Sequence, residues 1–74
     1  MTLAELKKGE KAKIIEFQCD KAVLQRLNNM GLTIATQIKV VRFAPLSDPI
    51  EIRLRGFYLA IRKSLAKQIL VIKN

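Results

Sequence analysis

The chain has 74 residues, with 14 Lys and Arg against 6 Asp and Glu, one Cys and no His. That length holds a single domain, residues 1–74. One cysteine excludes an internal disulfide, and the missing histidine removes the usual base for a Cys or Ser nucleophile.

A chain this short buries only about 60% of the surface it exposes when unfolded. Its core must therefore be dense, and 50% hydrophobic residues with 3 Gly and 2 Pro meet that need. The net charge of +8 attracts nucleic acid, acidic protein faces or anionic head groups without choosing among them. It also serves plain solubility. Met1 to Glu5 lacks a signal-peptide pattern, and the apolar run Ile69–Ile72 is far too short to cross a bilayer. A soluble, cytoplasmic protein is expected, with Cys19 as a small buried or half-buried residue.

Thr2 and Glu5 have capping-box spacing and predict one helical turn, with Leu3 and Leu6 inward. Ala12 to Gln18 reads as a first strand, with Ile15 and Phe17 on one face and Ile14 and Glu16 on the other. Asp20 is an N-cap for a helix over Lys21 to Met30. Val23, Leu27 and Met30 recur at i, i+4 and i+7 along it, and Leu24 widens the stripe. Gly31 suits a left-handed helix ending, over which Leu32 folds back onto Leu27.

Gln37 to Phe43 is a strand whose alternation breaks between Val40 and Val41, which predicts a bulge. Ala44 to Pro49 is a turn with two prolines. Ile50 to Arg55 alternates, with Ile50, Ile52 and Leu54 inward. Gly56-Phe57 fits a two-residue hairpin loop. That loop pairs Leu54 with Leu59, Ile52 with Ile61, Arg55 with Tyr58 and Glu51 with Arg62. Ser64 to Gln68 reads as one turn, and Ile69 to Ile72 as the last strand. The sum is a mostly β fold with one inserted α-helix, a small barrel whose closure would remove exposed sheet edges.

Three runs carry a family likeness. Asn29-Met30-Gly31-Leu32-Thr33 resembles the helix ending of the FeoA (ferrous iron transport protein A) family. Val41 to Ile52, with Ala44-Pro45-Leu46-Ser47-Asp48-Pro49 at its centre, resembles the family's APLGDP-type loop between two strands. Leu59-Ala60-Ile61-Arg62-Lys63 is similar to its LRK-like step. Ile34-Ala35 stand where the family has Pro-Gly, and Ser47 replaces a common glycine. Ala35 takes a left-handed backbone less readily than glycine, so a turn of different type is open there. The resemblance implies an SH3-like fold and a partnership with FeoB, a membrane ferrous iron transporter with a cytoplasmic GTP-hydrolysing domain. A related fold closes iron-dependent repressors, which is the source of the family's transition-metal-binding label.

The residues themselves point to no enzyme and no cofactor. There is no phosphate-binding glycine loop and no catalytic triad. Without His, and with no clustered carboxylates, no tight iron site is expected; Asp48 reads as a turn residue. A proline-peptide groove is disfavoured because Phe17, Phe43, Phe57 and Tyr58 are taken up by core and hairpin. Nucleic acid is disfavoured too, since base-stacking aromatics and a basic recognition helix are missing. Docking on the cytoplasmic part of a FeoB-type transporter is favoured. Its candidate residues are Leu46, at the tip of the proline loop, and Arg42, Arg53, Arg55 and Arg62. Leu46 either anchors the partner or caps the open end of the barrel.

Overall fold

A computed structural model describes residues 1–74. The chain opens with a 3-10 turn, Leu3–Glu5, in which the Glu5 carboxylate accepts the Thr2 N–H at 2.7 Å. Leu3 and Leu6 are both buried. Strand β1 (Lys11–Phe17) follows, then helix α1 (Lys21–Asn29), β2 (Gln37–Phe43), a 3-10 turn (Pro45–Ser47), β3 (Ile50–Leu54), β4 (Phe57–Ile61), the one-turn α2 (Lys63–Ala66) and β5 (Ile69–Lys73).

The Asp20 carboxylate accepts the Val23 N–H at 2.9 Å, which satisfies one orphan donor of α1. At the other end Leu32 N–H donates to Leu27 carbonyl and Gly31 N–H to Asn28 carbonyl, both at 3.0 Å. These are the two bonds of a Schellman motif, and Gly31 has φ +95°. Leu27 and Leu32 are fully buried, while Val23 and Met30 pack half-buried against the same core.

All five strands pair antiparallel in the order β4-β3-β2-β1-β5. Every strand contributes to a 15-residue core that includes Ile14, Val40, Ile52, Ile61 and Val71. The hydrogen bonding is that of an open sheet rather than the closed barrel expected, because β5 turns back to β1 and leaves β4 unpaired on its outer side. The outer edge of β5 is covered by the N-terminus: Thr2 bridges Leu70, and Val71 N–H donates to Met1 carbonyl at 2.9 Å.

The bulge expected in β2 is present, since the register against β3 shifts between Val40 and Arg42. A second shift falls in β1, between Ile14 and Glu16 against β5. It corrects the facing of that strand. Ile14 is core, Ile15 is 46% exposed, and Phe17 returns half-buried to the core side. An extra residue resets a period-two pattern in this way.

The β3–β4 register also differs from expectation. Leu54 faces Phe57, Arg53 faces Tyr58, Ile52 faces Leu59, Glu51 faces Ala60 and Ile50 faces Ile61. The turn residues are Arg55 and Gly56, with φ +48° and +85°, as a type I′ turn requires at both central positions. This two-residue slip keeps Ile50, Ile52 and Leu54 buried. The face is therefore right although each partner is wrong.

Candidate docking surface

The proline loop sits at the end of the sheet where β2 hands over to β3. Its Asp48-Pro49 peptide is cis, and Leu46 and Ser47 both have left-handed backbone, φ +69° and +64°. Leu46 is 99% exposed, so it caps nothing in this fold. Asp48 accepts the Lys63 N–H at 2.9 Å. That bond ties the loop to the start of α2 and brings Arg62, the exposed residue before it, to the same end of the molecule.

Arg42 lies near this end as well, but its guanidinium donates to the Glu51 carboxylate at 2.9 Å. Glu51 is thus the partner of Arg42 across β2–β3 and not of Arg62. Arg53 is exposed on the outer face of β3. Arg55 is at the far end of β3, in the hairpin turn. Its Nη2 donates to the Thr33 and Thr36 hydroxyls, each at 3.3 Å, and those hydroxyls lie 2.9 Å apart. Thr36 is the one buried polar residue. Arg55 therefore holds the β3–β4 turn against the segment between α1 and β2. The structure gathers Leu46, Arg42 and Arg62 at one end and puts Arg55 at the other, about 13 Å of strand away.

Phe57 and Tyr58 are 42% and 62% exposed on the edge strand, in keeping with their reading as hairpin residues, although Phe57 belongs to β4 and not to the turn. Sequence reasoning missed one feature of this surface. Lys8, Lys11 and Lys39 also belong to the surface around Arg53, and only the strand register reveals it.

No group of three or more His, Cys, Asp or Glu comes together to hold a metal ion. Five of the six carboxylates already accept hydrogen bonds: Glu5 from Thr2 N–H, Asp20 from Val23 N–H, Asp48 from Lys63 N–H, Glu51 from Arg42, and Glu10 from Lys7 N–H and Lys73. Glu10 is held below the ordinary glutamate pKa by the Lys73 bond first and the Lys7 N–H next. Glu5 is held below it mainly by the Thr2 N–H. The donor set does not fit a tight ferrous site, and Cys19 packs half-buried against the core.

A five-stranded antiparallel sheet with one helix inserted after its first strand defines a small SH3-like domain, and the solved structures agree. A FeoA protein from Chlorobium tepidum superposes with TM-score 0.90 at 41% identity, covering 99% of this chain and 70% of that one. The FeoA of Stenotrophomonas maltophilia, solved with zinc and described as an SH3-domain protein, gives 0.82 at 26% identity over 97% and 89%. A manganese-dependent transcriptional repressor gives 0.92 at 14% identity, over 100% of this chain and 36% of its own, a likeness of fold alone.

The FeoA domain model matches residues 1–73, and the chain belongs to the FeoA family of ferrous iron transport. A Methanocaldococcus jannaschii protein, provisionally named Fe(2+) transport protein A, is 33% identical over 69 residues, 93% of this chain and 82% of the relative. A Porphyromonas gingivalis protein named as an Fe(2+) transport protein A/FeoB fusion is 32% identical over 69 residues. This chain spans 93% of itself in that match but only 8% of the fusion protein's length.

Proposed function

We propose that this chain is a cytoplasmic accessory protein of ferrous iron uptake, without chemistry of its own, which docks on the cytoplasmic part of a FeoB-type transporter through its proline loop. The observation that carries this reading is Leu46. An exposed leucine alone says little. A leucine held at φ +69° and 99% exposed is favoured neither by its backbone nor by burial, and strain of that kind collects at binding sites. Arg62 supplies charge beside it and Arg42 lies at the same end. Arg53 offers charge further along the sheet, and Arg55 serves the turn first. The FeoA/FeoB fusion in a relative supports the pairing, because joining two modules makes their encounter intramolecular.

The test is complementation of ferrous iron uptake in a strain lacking the gene. Leu46→Ala and Arg62→Glu should each lower uptake while far-UV circular dichroism stays unchanged. Charge reversal should act mainly on association rate and fade with salt, and loss of the apolar anchor mainly on dissociation. Full uptake by both folded variants refutes this surface.

A further inference from the structure

The strand register sets three cations in one line across the outer face of the sheet. Lys11 on β1 lies directly opposite Lys39 on β2, Lys39 opposite Arg53 on β3, and Arg53 opposite Tyr58 on β4. All four side chains are exposed. Like charges directly opposite on neighbouring strands destabilise a sheet, and no carboxylate stands in the row to relieve them. Of the bordering acids, Glu51 is taken by Arg42 and Glu10 by Lys73. The row is flanked by two shallow grooves. One, about 280 Å³, is lined by Lys11, Lys39, Arg53 and Arg55, and the other, about 250 Å³, by Lys8, Lys39, Arg53 and Tyr58.

We infer that this row is a docking surface for an acidic α-helix of a partner protein, lying across the strands. The inference rests on the reading of the chain as a docking protein, but the surface is distinct from the Leu46 loop. Spacing selects the occupant. Neighbouring strands are about 4.8 Å apart. Carboxylates at i, i+3 and i+7 of a helix recur every ~4.5–6 Å along its axis. An extended acidic strand presents same-face groups only every ~6.6–6.8 Å and falls out of step over three cations. Single-stranded nucleic acid needs successive aromatic platforms, and this face offers Tyr58 alone, at the end of the row. The charge there is a repulsion kept in the free protein and relieved by the partner.

The test uses the full chain, ¹⁵N-labelled, titrated at low salt with a helical peptide bearing Glu at i, i+3 and i+7. A peptide of the same composition broken by a central proline, phosphatidylglycerol vesicles and oligo-dT are the competitors. Chemical-shift changes should centre on Lys11, Lys39, Arg53 and Tyr58. Lys39→Glu should weaken peptide binding by about fivefold, the upper end of what an exposed ion pair is worth, because it adds repulsion to the lost attraction, and Lys39→Gln by about twofold. Both variants should melt at a higher temperature than the parent, a signature that simple loss of a structural contact would not give. Equal binding of the broken peptide, tighter binding of vesicles or oligo-dT, or shifts mapping elsewhere each overturn the inference. Because binding is read on the isolated chain, it stands or falls separately from the uptake experiment.

Discussion

Replacing Gly31 by alanine tests the joint between helix and hairpin. At φ +95° the new Cβ would lie 3.2 Å from Cζ of Phe57 and 3.8 Å from Cδ1 of Leu54. Two effects add. A left-handed backbone costs an L-residue about 1–2 kcal/mol, of which ~0.4–1 kcal/mol is returned because alanine restricts the unfolded chain. The contact adds roughly 1 kcal/mol, the low end of overpacking, since Phe57 is 42% exposed and its ring can yield. The sum, about 2 kcal/mol, is a large share of the ~4–11 kcal/mol expected for a domain of 74 residues. In a thermal melt it corresponds to a drop of roughly 8–16 °C, and in urea to a lower midpoint at unchanged slope. Gly56→Ala is the control, because φ is +85° there and nothing lies within 4 Å of its Cβ. Only the backbone effect should remain, about 1 kcal/mol. Gly31→Ala with Phe57→Ala should behave likewise relative to Phe57→Ala alone. If Gly31→Ala is no worse than Gly56→Ala, the Phe57 contact carries no energy. If both match the parent, the backbone argument fails too.

Two further outcomes are expected. Ala35 and Ser47 occupy positions where the family favours glycine, and both keep left-handed backbone, φ +73° and +64°. Ala35→Gly should therefore raise stability, by up to about 1 kcal/mol in urea denaturation, and a loss of stability would refute the strain. Glu5 and Glu10 titrate below the ordinary carboxylate value in the folded protein. Their contribution is present above the unfolded pKa and is lost as pH falls through the folded one. The melting temperature should be flat from neutral pH to about pH 5 and fall below about pH 4. Glu10→Gln should lessen that fall; an undiminished fall would remove Glu10 from the account.

The parts of the fold legible in the sequence are those whose cause is local. Asp20, the apolar stripe of α1 and Gly31 each act within a few residues, and the helix lies within one residue of where they place it. The β2 bulge shows itself as Val40-Val41 because two adjacent β-branched residues break a period of two. The β1 bulge has the same origin in Ile14-Ile15, yet two isoleucines leave open which one faces inward. The hairpin register turned on one residue. Gly56 fits either the first position of a type II′ turn or the second of a type I′ turn; the structure has the second, with Arg55 at φ +48° and its guanidinium reaching Thr33 and Thr36, 22 and 19 residues away in sequence. Alternation constrains the face but not the partner, so a slip of two passes unseen. For the same reason the sequence shows Arg55 without its Thr33 and Thr36 partners and gives no sign of Lys11 and Lys39 beside Arg53: that alignment exists only across strands.

Composition also understates how basic the surface is. Of 14 cations, only Arg42 and Lys73 are in ion pairs. The acids are not missing so much as occupied. Glu5, Asp20 and Asp48 face backbone N–H groups at the starts of helical turns, and Glu10 holds the Lys7 N–H as well as Lys73. Carboxylates placed to satisfy backbone donors near helical starts cannot also sit on the outer sheet face, where alternation assigns Lys11, Lys13, Lys39 and Arg53 to solvent. Folding itself thus separates the charges. It uses Glu5, Glu10, Asp20 and Asp48 for local structure and leaves Lys11, Lys39 and Arg53 aligned across the sheet, where their mutual repulsion limits the stability of the free domain and an acidic partner relieves it.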